Sequence, residues 1–174
     1  IDQAKGGVLF IDEAYSITEN AHSDSYGREC LTELTKALED YRDDLVVIVA
    51  GYTEPMEHFF SSNPGLKSRF NAFIEFPDYS GDELHDMRNN LCLKNDYVLS
   101  DEISQVLHAF LCKQATAKCE NFSNGRLVRN LYDDLILNQA RRIFADIPNP
   151  DRQTLSLITV DDFKYTEFMD SIDV

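Results

Sequence analysis

The chain has 174 residues, 43% hydrophobic and 27% charged, which excludes wholesale disorder. Its 16 Lys and Arg face 31 Asp and Glu, a formal net charge of −15 that argues against a nucleic-acid or anionic-membrane surface. No stretch approaches the ~20 apolar residues of a membrane helix, no signal peptide is visible, and the four cysteines read as reduced thiols of a cytoplasmic protein rather than a secreted disulfide framework.

Gly6-Gly7 precedes Val8-Leu9-Phe10-Ile11 and then Asp12-Glu13. A short apolar run after a glycine pair predicts a strand buried on both faces, as parallel strands are. The polar stretch 16–25 reads as a loop. Leu31, Leu34, Leu38 and Tyr41 recur at helical spacing over residues 27–41. A second apolar run, 45–50, closes at Gly51, and the order strand, helix, strand predicts a parallel βαβ crossover. Residues 72–76 are a third strand candidate, stopped by Pro77.

Beyond Pro77 the pattern becomes helical. Ser80 and Glu83 predict a capping box at a helix start. A second helix begins at residue 100, with Ile103, Val106, Leu107, Phe110 and Leu111 on one face. A third spans 125–145, with Leu127, Leu131, Leu135 and Ile136 inward. Residues 156–159 predict a short strand and 160–169 a final helix. The expected organisation is an α/β part over residues 1–78 and a helical part over 79–174.

Asp12 and Glu13 carry the strongest chemical signal. Four apolar residues ending in two acids form a Walker B pattern, which sets carboxylates at the ligand-binding edge of a parallel sheet. In phosphoryl transfer the first acid helps to hold Mg²⁺ and the second polarises the attacking water. The competing reading is a strand that ends in solvated acids. Thr53, after the second run, is a candidate to orient that water, with an N-cap of a helix beginning at Glu54-Pro55 as its competing role. Arg69 follows the turn Asn63-Pro64-Gly65, where a cation can meet the charge that develops on a γ-phosphate. Arg126 opens the long helix and can reach a phosphate, or make a surface salt bridge. His108 and Cys112 stand at i, i+4 with Cys119 following, but no CxxC pair supports zinc and Cys112 reads as a packed thiol. His22, His58 and His85 have no distinctive surroundings. Asp43-Asp44 and Asp133-Asp134 read as solvated acids, and Arg141-Arg142 as partners of acids on their own helix face or as cations that favour its C-terminus.

Residues 6–15 (GGVLFIDEAY), 44–52 (DLVVIVAGY), 63–70 (NPGLKSRF), 76–80 (FPDYS) and 122–130 (FSNGRLVRN) together resemble one AAA+ ATPase clade. The clade holds the CbbX-type Rubisco activases, the stage V sporulation protein K group and the EccA-type ATPases of type VII secretion. The resemblance implies a fold that is the C-terminal portion of an AAA+ P-loop NTPase core followed by a small α-helical lid. It implies ATP and Mg²⁺ as cofactors, Asp12 as the Walker B magnesium residue and Glu13 as the catalytic glutamate. Arg69 becomes the arginine finger acting on a neighbouring subunit's ATP, and Arg126 the sensor 2 arginine. Thr53 falls where many AAA+ proteins carry the sensor 1 Asn. Members generally form six-membered rings that remodel a client protein, so the expected partners are further copies of the chain and a protein client, with no nucleic acid and no membrane.

The sequence contains no G-x-x-x-x-G-K-[ST] phosphate loop. In the clade that loop and an aromatic pore loop precede Walker B. The expectation is therefore part of a longer ATPase, or a relic that serves as a non-catalytic interaction module. Either way the 174-residue chain alone is expected to be inactive. A sheet that starts at Walker B is also expected to bare a face, favouring self-association or pairing with another segment.

Overall fold

The computed structural model describes residues 1–21, 25–117 and 122–164. His22, Cys119 and the second half of the expected helix 160–169 lie outside the described residues. The chain divides into two compact units, Ile1–Phe76 and Pro77–Val174.

The first unit is built on β1 (Gly7–Ile11) and β2 (Leu45–Val49), paired in parallel from Gly7↔Leu45 to Ile11↔Val49. The chain between them forms α1 (Ser16–Ala21) and α2 (Ser25–Asp40); α3 (Thr53–Ser61) and α4 (Pro64–Lys67) follow. Leu9, Ile11, Val47 and Val49 pack on a core of Ala14, Leu31, Leu34, Met56, Phe59 and Leu66. The alternate residues Val8, Phe10, Val46 and Ile48 are 47% to 58% exposed. The strands are therefore covered on one face only, not on both. The period-2 alternation of strand side chains gives this split once helices lie against a single side. The bare face itself is the one expected of a sheet that starts at the Asp12-Glu13 strand.

Two further expectations fail in this unit. The segment 16–25 is not all loop, since α1 occupies its first part. There Thr18 is buried and donates its hydroxyl to Tyr15 O at 2.6 Å. Residues 72–76 form no strand. A strand needs a ladder partner for its backbone groups, and none of the described residues provides one. Instead Phe60 holds Phe70 and Phe73 edge-on, with ring centroids 5.4 Å away in each case.

The second unit contains α5 (Gly81–Lys94), β3 (Val98–Leu99), α6 (Asp101–Ala117), α7 (Gly125–Asp146), α8 (Arg152–Ser156) and β4 (Leu157–Ile158). The capping box forms as expected: Ser80 Oγ accepts from Glu83 N–H, and the Glu83 carboxylate accepts from Ser80 N–H. Leu84, Ile103, Leu107, Phe110, Leu111, Val128, Leu131 and Leu135 make the core, with Val106, Leu127 and Ile136 packed against it. β4 lies within the strand expected at 156–159 and pairs in parallel with β3. Residues 160–162 make a single 3₁₀ turn.

Two buried charges shape this unit. Arg142 does not pair with an acid on its own helix. Its Nε and Nη2 grip both oxygens of Asp162 at 2.8 and 2.9 Å, and the Asp162 side chain is fully buried. Such bidentate pairs are strong and geometrically specific. Arg88 is the opposite case. It lies on the buried stripe Gly81, Leu84, Arg88, Cys92 and is itself fully buried. Its Nη2 donates to Asn89 Oδ1 at 3.0 Å and to His85 Nδ1 at 2.8 Å, but Nε and Nη1 have no partner among the described residues. Burial pulls its pKa down to about 10.

These two arginines predict opposite responses to the same substitution, read as urea midpoints. Arg142→Met strands the Asp162 charge and lowers stability by about 3 kcal/mol. Arg88→Met removes two unsatisfied donors from a similar volume and raises stability by about 1–2 kcal/mol.

Candidate functional site

The first unit delivers its acids through the strand pair. The ladder continues past both strands: Ala50 N–H donates to Ile11 O at 2.9 Å, and Ala14 N–H to Ala50 O at 3.0 Å. Asp12 and Glu13 lie between those two anchor points, at the C-terminal end of β1, and both are exposed. Ala14 is fully buried and fixes the end of the bend. Glu13 has φ 50, a left-handed conformation that glutamate seldom adopts. Its N–H donates to Asp12 Oδ1 at 3.0 Å, and its O accepts from Ser16 N–H at 2.9 Å. Among the described residues the Glu13 carboxylate has no hydrogen-bond or ion-pair partner. Gly51 allows the close packing behind this bend, because a Cβ there would stand 2.9 Å from both Tyr15 Cδ1 and Met56 Sδ.

Thr53 is not a helix cap. The helix starts at Thr53 itself, Tyr52 occupies the cap position, and no side chain caps it. The Thr53 hydroxyl is exposed and makes no hydrogen bond among the described residues.

Arg69 leaves the turn after α4. Its Nη1 donates to Gly65 O at 2.6 Å, and its Nε lies 3.3 Å from Glu39 Oε2. Glu39 is on α2, thirty positions earlier, so no local pattern announces it. Asn63 caps α4 by accepting from Gly65 N–H at 3.0 Å, which holds the turn in place.

In the second unit Arg126 is exposed on the first turn of α7, and its guanidinium has no partner among the described residues. The preceding Asn124 sets where that turn begins. It has φ 51 and ψ −122, accepts from Tyr79 N–H at 3.2 Å, and donates to Asp78 Oδ1 at 3.0 Å. Asn124 escaped the sequence reading, although Asn-Gly is a turn signal.

Residues 80–171 match the AAA lid domain, and residues 1–78 match the ATPase family associated with various cellular activities (AAA). The chain belongs to the AAA+ ATPases, in the clade of CbbX and stage V sporulation protein K. It is 39% identical to Protein CbbX of Cereibacter sphaeroides over 165 residues, 94% of this chain and 53% of that protein. It is 41% identical to stage V sporulation protein K of Bacillus subtilis (strain 168) over 144 residues, 82% of this chain and 44% of that protein. A CfxQ homolog of Galdieria sulphuraria is 40% identical over 144 residues. The chain spans about half the length of these relatives. Its two units are thus an AAA+ α/β portion and a helical lid. No described helix is long and apolar enough to cross a membrane.

Glycine relieves the left-handed backbone at Glu13. Glu13→Gly is expected to raise the urea midpoint by the equivalent of about 0.5–1 kcal/mol, although it removes a side chain. A lower midpoint would show that the bend carries no strain.

Proposed function

We propose that the intact protein is an ATP-hydrolysing AAA+ remodeller in which residues 1–78 belong to the hydrolysis subdomain and 79–174 form the lid. The observation that carries this reading is the Asp12-Glu13 bend. A backbone held in an unfavourable conformation presents an unpaired carboxylate at the end of a parallel strand, and such strain concentrates at working sites.

The Asp12 carboxylate is exposed and supplies the hard oxygen donors that Mg²⁺ takes, typically one or two carboxylates beside nucleotide phosphates. A Mg²⁺ ion held by Asp12 would supply charge neutralisation at the phosphates. Glu13 acts as general base toward the attacking water, and Thr53 occupies the sensor 1 position. Arg69 serves as the finger for ATP held by a neighbouring copy, giving up a partly exposed Glu39 pair that is worth little. Arg126 serves as sensor 2, its free guanidinium suited to a phosphate. The assembly is a ring, a hexamer by family precedent, acting on a protein client in the cytoplasm.

The exposed apolar residues Val8, Phe10, Val46 and Ile48 on one face of β1 and β2 support a second reading, a non-catalytic interaction module. Both readings expect negligible turnover from the 174-residue chain alone. They separate on the longer protein, where only the first expects hydrolysis.

Glu13→Gln in the intact protein is expected to retain ATP binding and lose at least a hundredfold in turnover. Turnover within twofold of wild type would remove Glu13 from the chemistry. Arg69→Ala copies, mixed with copies disabled in the phosphate loop, are expected to regain part of their turnover. Verified mixed rings that stay inactive would end the shared-site assignment.

A further inference from the structure

The first turn of α5 and the middle of α6 bring three metal-binding groups together. A Cβ at Gly81 would stand 2.5 Å from Cys112 Sγ and 2.6 Å from Cys112 Cα, so only glycine lets the two helices approach this closely. The next residue, Asp82, places Oδ1 2.7 Å from His108 Nε2. His108 and Cys112 are one helical turn apart, so both project from the same side of α6. The carboxylate oxygen, ring nitrogen and sulfur all lie within 4.8 Å of one another. No other group of three His, Cys or acidic residues among the described residues converges in this way.

We propose that Asp82, His108 and Cys112 bind a zinc ion on the helical unit, with a fourth position open to solvent. Tetrahedral zinc with bonds of about 2.0–2.3 Å sets its ligands roughly 3.3–3.8 Å apart. The present spacing reaches that range by small side-chain rotations. A thiolate and an imidazole select zinc over magnesium or calcium, which take oxygen ligands.

The support around the three ligands is rigid. The Ser80–Glu83 capping box fixes the turn that carries Asp82. The His85 ring packs edge-on against His108 at 4.5 Å, and Arg88 Nη2 holds His85 in turn. Solvent reaches the site, since the Asp82 and His108 side chains are 84% and 43% exposed. On binding, the zinc–sulfur bond replaces the S–H bond of Cys112, and one proton passes to solvent. The ion then ties α5 to α6. This assignment is independent of the nucleotide chemistry proposed for Asp12.

The test is titration of the reduced 174-residue chain with Co²⁺ and then Zn²⁺. The expected result is one Co²⁺ per chain with a thiolate-to-metal charge-transfer band that Zn²⁺ displaces. Cys112→Ser abolishes the band, Asp82→Asn weakens affinity at least tenfold, and Cys30→Ser with Cys119→Ser leaves it intact. No band at stoichiometric Co²⁺, a band that survives Cys112→Ser, or one lost with Cys30 and Cys119, overturns the site. A readout that needs no variant is alkylation of Cys112, followed by peptide mass. Zn²⁺ is expected to slow it at least tenfold, and an unchanged rate also overturns the proposal.

Discussion

The parallel register of β1 and β2 runs one step beyond the strands, through Ala50 N–H to Ile11 O and Ala14 N–H to Ala50 O. Everything placed at the edge of the first unit depends on this extension. It anchors the chain immediately before and after Asp12-Glu13, so those two residues must turn within a fixed gap. The left-handed φ of Glu13 is the local cost of closing it. The buried methyl of Ala14 and the close contacts at Gly51 keep the bend from relaxing.

The helical unit solves its charge problem in two different ways. Arg142 and Asp162 are fully matched, and their fork also holds the turn at residues 159–162, because Asp162 Oδ2 accepts from Thr159 N–H at 2.9 Å. Arg88 is held by neighbours on its own helix and leaves two donors unmet. It keeps His85 neutral at Nδ1, since a guanidinium can only donate. Burial, then the charges of Arg88 and His108, hold the His85 pKa below its usual value. The stability this neutral ring contributes is therefore complete above about pH 6.5 and is lost as the pH falls below it.

The sequence shows clearly what depends on local periodicity. The apolar runs of β1 and β2, the leucine stripe of α2, the capping box of α5 and the inward faces of α6 and α7 all follow from spacing. What depended on a distant partner was not legible. Residues 72–76 have strand composition but no neighbour to pair with among the described residues. The two residues of β3 are a strand only through their pairing with β4, the one of the two that the sequence announces. Arg142 found Asp162 and Arg69 found Glu39 across tens of residues. The acids at 12 and 13 and both arginines could be named from residue type and order. The strain at Glu13 could not, because nothing in glutamate's chemistry favours a left-handed backbone.

Asn124 has a mechanical consequence. By binding both Asp78 and Tyr79 it welds the approach to α5 onto the start of α7. On the other side, Phe73 is clasped by the Phe60 ring in the first unit. Between these two clasps run only residues 74–77, and Pro77 locks one of their torsions. Residues 74–76 are thus the stretch of the connection whose backbone torsions are held neither by the two clasps nor by the Pro77 ring.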